Sequence, residues 1–402
     1  MPRFPFSSPL TISFRLSHTI VPSRPRRTMS HVYPTNPQSP TDLLTALPTK
    51  FEEARQSGQL FFFPSQAKDI YSKGKRFNLR CCPALLDKAQ AKVEALAAAR
   101  SSDNSPDPKR QKRETEPGTV DKQNSAEPFK PPYVPELFLG CLEGLEDEGG
   151  MSILLNKYAV LPEHMLLCPQ EYEPQSLPPT PHQLALAYLI LVAAARHPVR
   201  PRRLLAFYNG GEGAGASQKW RHLQFIEIPG RAPVEEWTDN VHFERQDEPI
   251  IHPEMPHLHI VHPLGNLKSI PYPPSPEQSS QLIDELSPVL MKSLDIALDA
   301  VRRGNGNKNG GWNLLMTLDH LHLIPRSKPS YPVPAPHEPI ELNSLGYAGM
   351  MLVRSEEEEK LLLDSVGDAG LMSVLETCGV PRAWGEQAVQ ALTAHIGGSE
   401  AL

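Results

Sequence analysis

The sequence predicts an α+β protein organised around an antiparallel sheet. Segments with strand-like and helix-like patterning follow one another without the regular βαβ alternation of a parallel sheet. The 44 prolines and 25 glycines make up about 17% of 402 residues. That is above the ordinary share of about 12% but short of the roughly 25–30% at which compositional disorder begins. Apolar residues amount to 39%, enough for a core, and the length suits two domains or one large α+β unit. The longest apolar run, Leu184 to Ala195, is too short to span a bilayer.

Taken in order, residues 1–40 are rich in Ser, Pro and Arg, and the first acid is Asp42. Such a segment is either a mitochondrial transit peptide or a disordered tail, and a start at Met29 would remove most of it. Helix is expected around Phe51-Glu52-Glu53-Ala54-Arg55, a strand at Leu60-Phe61-Phe62-Phe63, and helix again toward Ala98. Residues 99–128 lack aromatics and contain Lys109-Arg110-Gln111-Lys112-Arg113. They read as a disordered insertion whose basic cluster is either a solvated charge run or a nuclear-import signal. Phe129-Lys130-Pro131-Pro132-Tyr133-Val134-Pro135 reads as an extended arm lying across another surface.

Met151 to Leu155 and His164 to Cys168 read as a strand pair, and Thr180-Pro181 caps a helix from about His182 to Arg196. Leu204 to Tyr208 and His222 to Ile228 are expected strands on either side of a glycine-rich loop, followed by a strand at His257 to Val261. Ser275-Pro276 opens a long amphipathic helix to about Arg303. One or two strands are expected in Asn313 to Ile324, a last strand at Tyr347 to Arg354, and helices at Ser365 to Cys378 and Trp384 to His395. The expected organisation is a tail (1–40), an amino-terminal catalytic region (41–235, interrupted by 99–128), a carboxy-terminal domain (236–370) and terminal helices (371–402).

The net charge of −6 hides an asymmetry, because residues 1–28 hold five arginines and no acid. The remaining body is therefore more acidic still, which disfavours broad nucleic-acid binding. The five cysteines, Cys81, Cys82, Cys141, Cys168 and Cys378, form no C-x-x-C pair. An odd count in that arrangement suits neither a disulfide framework nor zinc, and fits a reducing compartment.

The segment richest in chemistry is Phe207-Tyr208-Asn209-Gly210-Gly211-Glu212-Gly213-Ala214-Gly215-Ala216-Ser217-Gln218-Lys219-Trp220-Arg221-His222-Leu223-Gln224. Its glycines let backbone N–H groups surround an anion. No Gly-Lys-Ser/Thr follows, so it is not a Walker loop, and the strand after it argues against a dinucleotide fingerprint. An ordinary hairpin loop is the plain alternative. Strand alternation puts His222 and Gln224 on one face, opposite Leu223 and Phe225, and a histidine beside a phosphate nest can act as a nucleophile at phosphorus. His257-Leu258-His259-Ile260-Val261-His262 and His320-Leu321-His322 imitate a histidine triad but lack its spacing and a preceding glycine loop. They read as strand residues rather than metal ligands, and His164 reads as a structural core residue.

Ser217-x-x-x-x-His222-Leu223-Gln224 after the glycine loop resembles the active-site segment of fungal diadenosine tetraphosphate (Ap4A) phosphorylases, also called ATP adenylyltransferases. These are a branch of the histidine-triad (HIT-like) superfamily. Leu155-Asn156-Lys157-Tyr158-Ala159-Val160-Leu161-Pro162-Glu163-His164-Met165-Leu166-Leu167 resembles the family's paired core strands. Pro325-Arg326-Ser327-Lys328 and Asn343-Ser344-Leu345-Gly346-Tyr347-Ala348-Gly349-Met350 resemble its carboxy-terminal signatures. The match runs in order over residues 45–98 and 129–365.

The resemblance implies a HIT-like antiparallel sheet with flanking helices, extended by a second carboxy-terminal portion. It also implies phosphorolysis of Ap4A to ATP and ADP through an AMP-histidine intermediate on His222, with reverse adenylyl transfer. Gln224 cannot titrate, so an acceptor that is already anionic is favoured over water. By the same resemblance Lys88, Lys157 and Lys328 offset the polyphosphate, with Asn156 beside them. Asn209, Gly215, Ala216, Ser217 and Gln218 bind ribose or phosphate oxygens near His222 and Gln224, while Asn343, Ser344, Leu345, Met350 and Arg354 contact the nucleotide.

Two positions depart from the family pattern: Trp220 replaces the first histidine of His-x-His-x-Gln, and Arg354 stands where lysine is usual. The ligands implied are Ap4A, ATP, ADP and phosphate with a divalent cation such as Mg2+, without an organic cofactor, nucleic acid or membrane, in a cytoplasmic monomer. The alternatives are a nucleotidyltransferase acting on adenosine phosphosulfate or sugar nucleotides, and a degenerate dinucleotide-binding sensor.

Overall fold

In the computed structural model of the chain, the described residues are 37–64, 67–83, 85–86, 127–146, 148–303 and 311–389. Residues 1–36 of the expected tail, 99–126 of the expected insertion, the helix toward Ala98 and Lys88 lie outside them. The described residues all belong to one compact unit, Pro34–Leu402.

Helix α1 (Pro40–Gln56) starts at Ser39, whose hydroxyl caps the amide of Asp42 while the Asp42 carboxylate receives the Ser39 amide. This reciprocal capping box satisfies two N-terminal donors at once. The hairpin of β1 (Ala67–Ser72) and β2 (Lys75–Cys81) turns at Lys73-Gly74, both with positive φ, as a two-residue turn matched to strand twist requires. Then come β3 (Phe138–Leu142), β4 (Met151–Leu155) and β5 (Met165–Pro169). Helix α2 (Pro181–Ala195) follows, opened by a Thr180/Gln183 capping box and buried on nearly every side, which explains its lack of a polar stripe.

The chain continues through β6 (Leu204–Gly210), β7 (Leu223–Glu227), α3 (Pro233–Thr238), β8 (Ile250–Ile251), β9 (Ile260–Pro263) and α4 (Pro276–Arg303). After these come β10 (Trp312–Met316), β11 (His320–Pro325), β12 (Ser330–Tyr331), β13 (Ile340–Glu341), α5 (Ser344–Tyr347) and β14 (Met350–Val353). Helices α6 (Glu356–Val366) and α7 (Met372–Cys378) and a helical stretch at 382–389 complete the described chain.

Among the described residues a nine-stranded sheet has the order β3-β4-β5-β7-β6-β10-β11-β9-β8, antiparallel throughout. Alternate side chains serve two cores. Leu204, Ala206 and Tyr208 of β6, with Leu223 and Phe225 of β7, pack beneath α1, α2 and α4. Leu205 and Phe207, with Ile226, pack on the opposite face against α3, α5, α7 and a three-stranded sheet of order β1-β2-β14. In that small sheet β14 runs parallel to β2.

Several expected elements differ in detail. Leu60 to Phe63 is not a strand; only Phe61 forms a bridge, to Tyr158. The strand expected from His222 begins at Leu223, and the one expected from His257 begins at Ile260. Tyr347 to Arg354 divides into the end of α5 and the strand β14, because Gly349 turns there at φ 78°. Ser365 to Cys378 is broken by Gly367 and Gly370, both at positive φ. No helix among the described residues is long and apolar enough to cross a membrane.

Candidate active site

The glycine loop leaves the end of β6 and returns into β7. Gly211 (φ 98°) and Gly215 (φ 88°) bracket a short helical turn at Glu212–Ala214, and both positions need the left-handed freedom of glycine. A Cβ on Gly215 would also come within 2.8 Å of the Asn343 Cβ, so loop and carboxy-terminal signature touch directly.

Before β7 begins, the 219–221 stretch runs alongside residues 173–175. The Gln175 amide donates to the Lys219 carbonyl at 2.9 Å, and the Arg221 amide to the Glu173 carbonyl at 2.8 Å. Arg221 is ion-paired with Glu173 and donates to Gln183 Oε1, the same oxygen that caps α2. The start of a helix is thereby tied to the residue preceding His222.

His222 is buried, and its backbone and ring are both held. Its backbone amide donates to Gln175 Oε1 at 2.7 Å, while Gln175 Nε2 donates to the Asn209 carbonyl at 2.9 Å. Gln175 thus joins β6 to the start of β7, doing with a side chain what a ladder bond does within a sheet. The imidazole Nδ1 lies 2.8 Å from the Trp220 carbonyl. A carbonyl only accepts, so Nδ1 carries the proton and the lone pair resides on Nε2. The ring of Phe129 covers the imidazole, with centroids 5.0 Å apart and planes tilted by 51°. The Trp220 indole points elsewhere: Nε1 donates to the Pro169 carbonyl at 2.9 Å, and the ring meets Tyr172 edge to face.

Gln224 is held at its carbonyl end. His164 Nε2 lies 3.1 Å from Gln224 Oε1, and Asn156 Nδ2 lies 3.3 Å from that nitrogen and 3.5 Å from the same oxygen. Half-buried Asn156, just after β4, and buried His164, just before β5, form one polar cluster with Gln224 of β7.

Beside the glycine loop opens a cleft of about 1060 Å³. Gly215, Ala216, Ser217, Asn343 and Arg354 line it, as do Glu212, Glu341 and Glu358. Its apolar wall is built by Leu294 and Leu298 of α4 with Trp312, which stacks on Tyr208 at 5.3 Å. Arg354 donates through Nε and Nη2 to Glu358 Oε1 at 2.9 and 2.6 Å, and this pairing pushes its already high pKa further up.

Other residues singled out in the sequence stand elsewhere. His222 and Gln224 do not line the cleft, and neither do Gln218, Asn156, Lys157, Lys328 or Met350. Lys157 is exposed, with Nζ 5.7 Å from the Phe61 ring centroid, and Lys328 is exposed beyond β11.

Asn209 and Ser344 direct their polar atoms to each other. The Ser344 hydroxyl and amide both donate to Asn209 Oδ1, at 2.7 and 2.9 Å, and Asn313 Nδ2 donates to it at 3.0 Å. Asn313 Oδ1 in turn accepts from Arg326 Nη1 at 2.8 Å. Leu345 is fully buried next to this network.

The histidines of 252–262 and 320–322 gather along β9 and β11, and His259 Nε2 lies 3.0 Å from His322 Nδ1. Among the described residues no group of three or more His, Cys, Asp or Glu could hold a metal, and the five cysteines are free thiols. Gln175, Phe129, Glu358 and Trp312 were not among the residues picked from the sequence. Only Phe129 carried a signal, as the first residue of the expected arm.

Residues 100–238 match the family model of the Ap4A phosphorylase N-terminal domain, and residues 253–381 match that of the ATP adenylyltransferase C-terminal domain. Together they cover about two-thirds of the chain. The chain belongs to the Ap4A phosphorylase family.

Among curated proteins the chain is similar to diadenosine 5',5'''-P1,P4-tetraphosphate phosphorylase 2 of Saccharomyces cerevisiae, with 29% identity over 280 residues. That match covers 66% of this chain and 81% of the yeast protein. Protein APA1 of the same yeast is 27% identical over 257 residues, 61% of this chain and 73% of the relative. The crystal structure of yeast Ap4A phosphorylase Apa2 in complex with AMP superposes with a TM-score of 0.59 at 24% identity, covering 85% of this chain and 97% of that one. The same yeast protein in complex with Ap4A gives the same TM-score at 23% identity. These superpositions establish the shared α+β fold, and the family models extend over both the glycine loop and the carboxy-terminal signatures.

Proposed function

We infer that the chain is a nucleotidyltransferase that splits Ap4A by phosphorolysis into ATP and ADP, and runs the reverse adenylyl transfer, through an AMP group held on His222 Nε2. The observation that carries the reading is the Nδ1–H donation to the Trp220 carbonyl beside the glycine loop. It puts the nucleophilic lone pair on Nε2.

In the first step Nε2 attacks the α-phosphorus, the P–N bond forms, and the bond to the departing ATP oxygen breaks. The ring becomes cationic, and the Trp220 carbonyl stabilises the Nδ1–H it already binds. In the second step a phosphate oxygen attacks the same phosphorus, the P–N bond breaks, and ADP leaves with His222 neutral again. With its carbonyl end held by His164 and Asn156, Gln224 can offer its amide N–H groups to phosphate oxygens. It is no base for water.

The yeast relative's structure in complex with Ap4A supports the same substrate class here. A divalent cation would accompany the nucleotide, since among the described residues Glu212, Glu341 and Glu358 line the cleft against one Lys or Arg, the ion-paired Arg354, and a polyphosphate needs counter-charge there. The parallel with the wider histidine-triad proteins rests on the same antiparallel sheet with a histidine at the edge of a glycine loop.

Brief incubation with Ap4A in the absence of phosphate, followed by mass spectrometry, is the direct test. The expected result is one acid-labile AMP on His222, absent from His222→Asn. An unmodified parent, or equal modification of the variant, would end this assignment.

A further inference from the structure

Phe129 is 8% exposed and His222 4%, and their ring centroids lie 5.0 Å apart. The segment bearing Phe129 closes a local turn and is anchored to the sheet downstream of it. The Lys130 amide donates to the Glu127 carbonyl at 3.1 Å. Tyr133 packs face to face on Phe138 at 5.1 Å, with its hydroxyl 2.9 Å from Ser152 Oγ on β4. The aromatic cover is therefore pinned to the sheet that carries the nucleophile.

An adenylylated imidazole carries a positive charge and a labile P–N bond, and it yields to whichever acceptor reaches phosphorus. Water greatly outnumbers phosphate, and a glutamine that cannot take up a proton slows water without keeping it away. We propose that Phe129 is a specificity-determining residue that excludes water from the His222 intermediate and so sets the ratio of phosphorolysis to hydrolysis. This rests on the adenylyl-histidine reading of the preceding section. Both outcomes break the same P–N bond: phosphate attack gives ADP, whereas water attack gives AMP and releases a proton.

The test uses the full chain, Ap4A and saturating phosphate in water enriched in 18O, with ATP, ADP and AMP quantified for the parent, Phe129→Leu and Phe129→Ala. Removing a water-excluding group is expected to raise the AMP:ADP ratio by about tenfold or more in Phe129→Ala, with 18O in the AMP phosphate. Phe129→Leu, which keeps apolar bulk without the flat ring, should fall between, and it carries the test if the alanine variant does not fold. A merely structural role would slow ATP release and leave the ratio unchanged. An unchanged ratio in variants that still release ATP overturns the proposal while leaving the phosphorolysis reading intact. A parent that releases no ATP overturns both.

Discussion

At the scale of single residues, the proposed nucleophile His222 is oriented by the Trp220 carbonyl and the Gln175 side chain. Trp220 occupies a family histidine position, yet what it gives His222 is its carbonyl, a group every residue possesses. Its indole serves the Pro169 carbonyl instead. Trp220→Phe is therefore expected to cost about 1 kcal/mol of stability through one lost hydrogen bond while AMP-adduct formation continues at its parental rate. Urea unfolding and adduct mass spectrometry check the two halves, and a tenfold slower adduct would show that the indole itself matters. Neighbouring positions explain what sequence patterns could and could not reveal. Alternation along β7 separates Leu223 and Phe225 from Gln224 with no knowledge of the fold, whereas His222 stands one residue before the strand. Gln175 lies 47 residues from His222 along the chain, and nothing local distinguishes it from a loop glutamine.

At the scale of elements, the β6 end, the glycine loop, β10 and α5 are held together by one buried network that ends on Arg326. That guanidinium is 1% exposed and bonds Asn313 Oδ1, the Leu342 carbonyl and the Lys328 carbonyl at 2.8, 3.0 and 2.7 Å. It also donates to the Cys378 carbonyl at 3.3 Å, at the C-terminal end of α7, and lies 5.0 Å from the Tyr347 ring centroid. Among the described residues its compensation comes from carbonyl dipoles, a helix C-terminus and an aromatic face rather than from a carboxylate. Replacement by methionine fills the volume but leaves these acceptors unpaired, and is expected to destabilise by about 3–5 kcal/mol. Chemical denaturation measures this, and a loss under about 1 kcal/mol would mean that the acceptors find other partners. Proline-led helix starts and the hairpin around the loop were visible in sequence because their signals are local. The network was not, because Asn209 and Ser344 are 135 residues apart, and a short polar side chain looks the same whether it binds substrate or a neighbour.

At the scale of the whole molecule, a row of buried imidazoles makes stability depend on pH. Burial pushes His257 down to about 3 and His252 and His320 to about 4, from 6.5, and holds His259 and His322 well below their ordinary value. Among the described residues neither ring nitrogen of His257 has a hydrogen-bond partner. The unfolded chain takes up protons at these sites as pH falls below about 6.5, and the folded chain does so only nearer 4, so folding weakens progressively across that window. Each such histidine steepens the slope by up to about 1.4 kcal/mol per pH unit. Urea midpoints at pH 7.5 and 5.5 should differ, and His257→Gln should reduce the difference. A slope unaffected by the substitution would place the effect elsewhere. The spacing of the 257–262 and 320–322 histidines announced strands, but the edge-on contact of His259 with His322 depends on β9 pairing with β11 across some 60 residues.

The parallel pairing of β2 with β14 joins Cys81 to Val353, and it bears on how the protein is made. While the ribosome is still working through the intervening residues, the hairpin near the amino terminus waits with one edge unpaired, an invitation to wrong partners. Arg354 and the Asn343 signature reach the cleft only at the end of that interval. A chain released early would carry His222 and the glycine loop but lack one wall of the cleft.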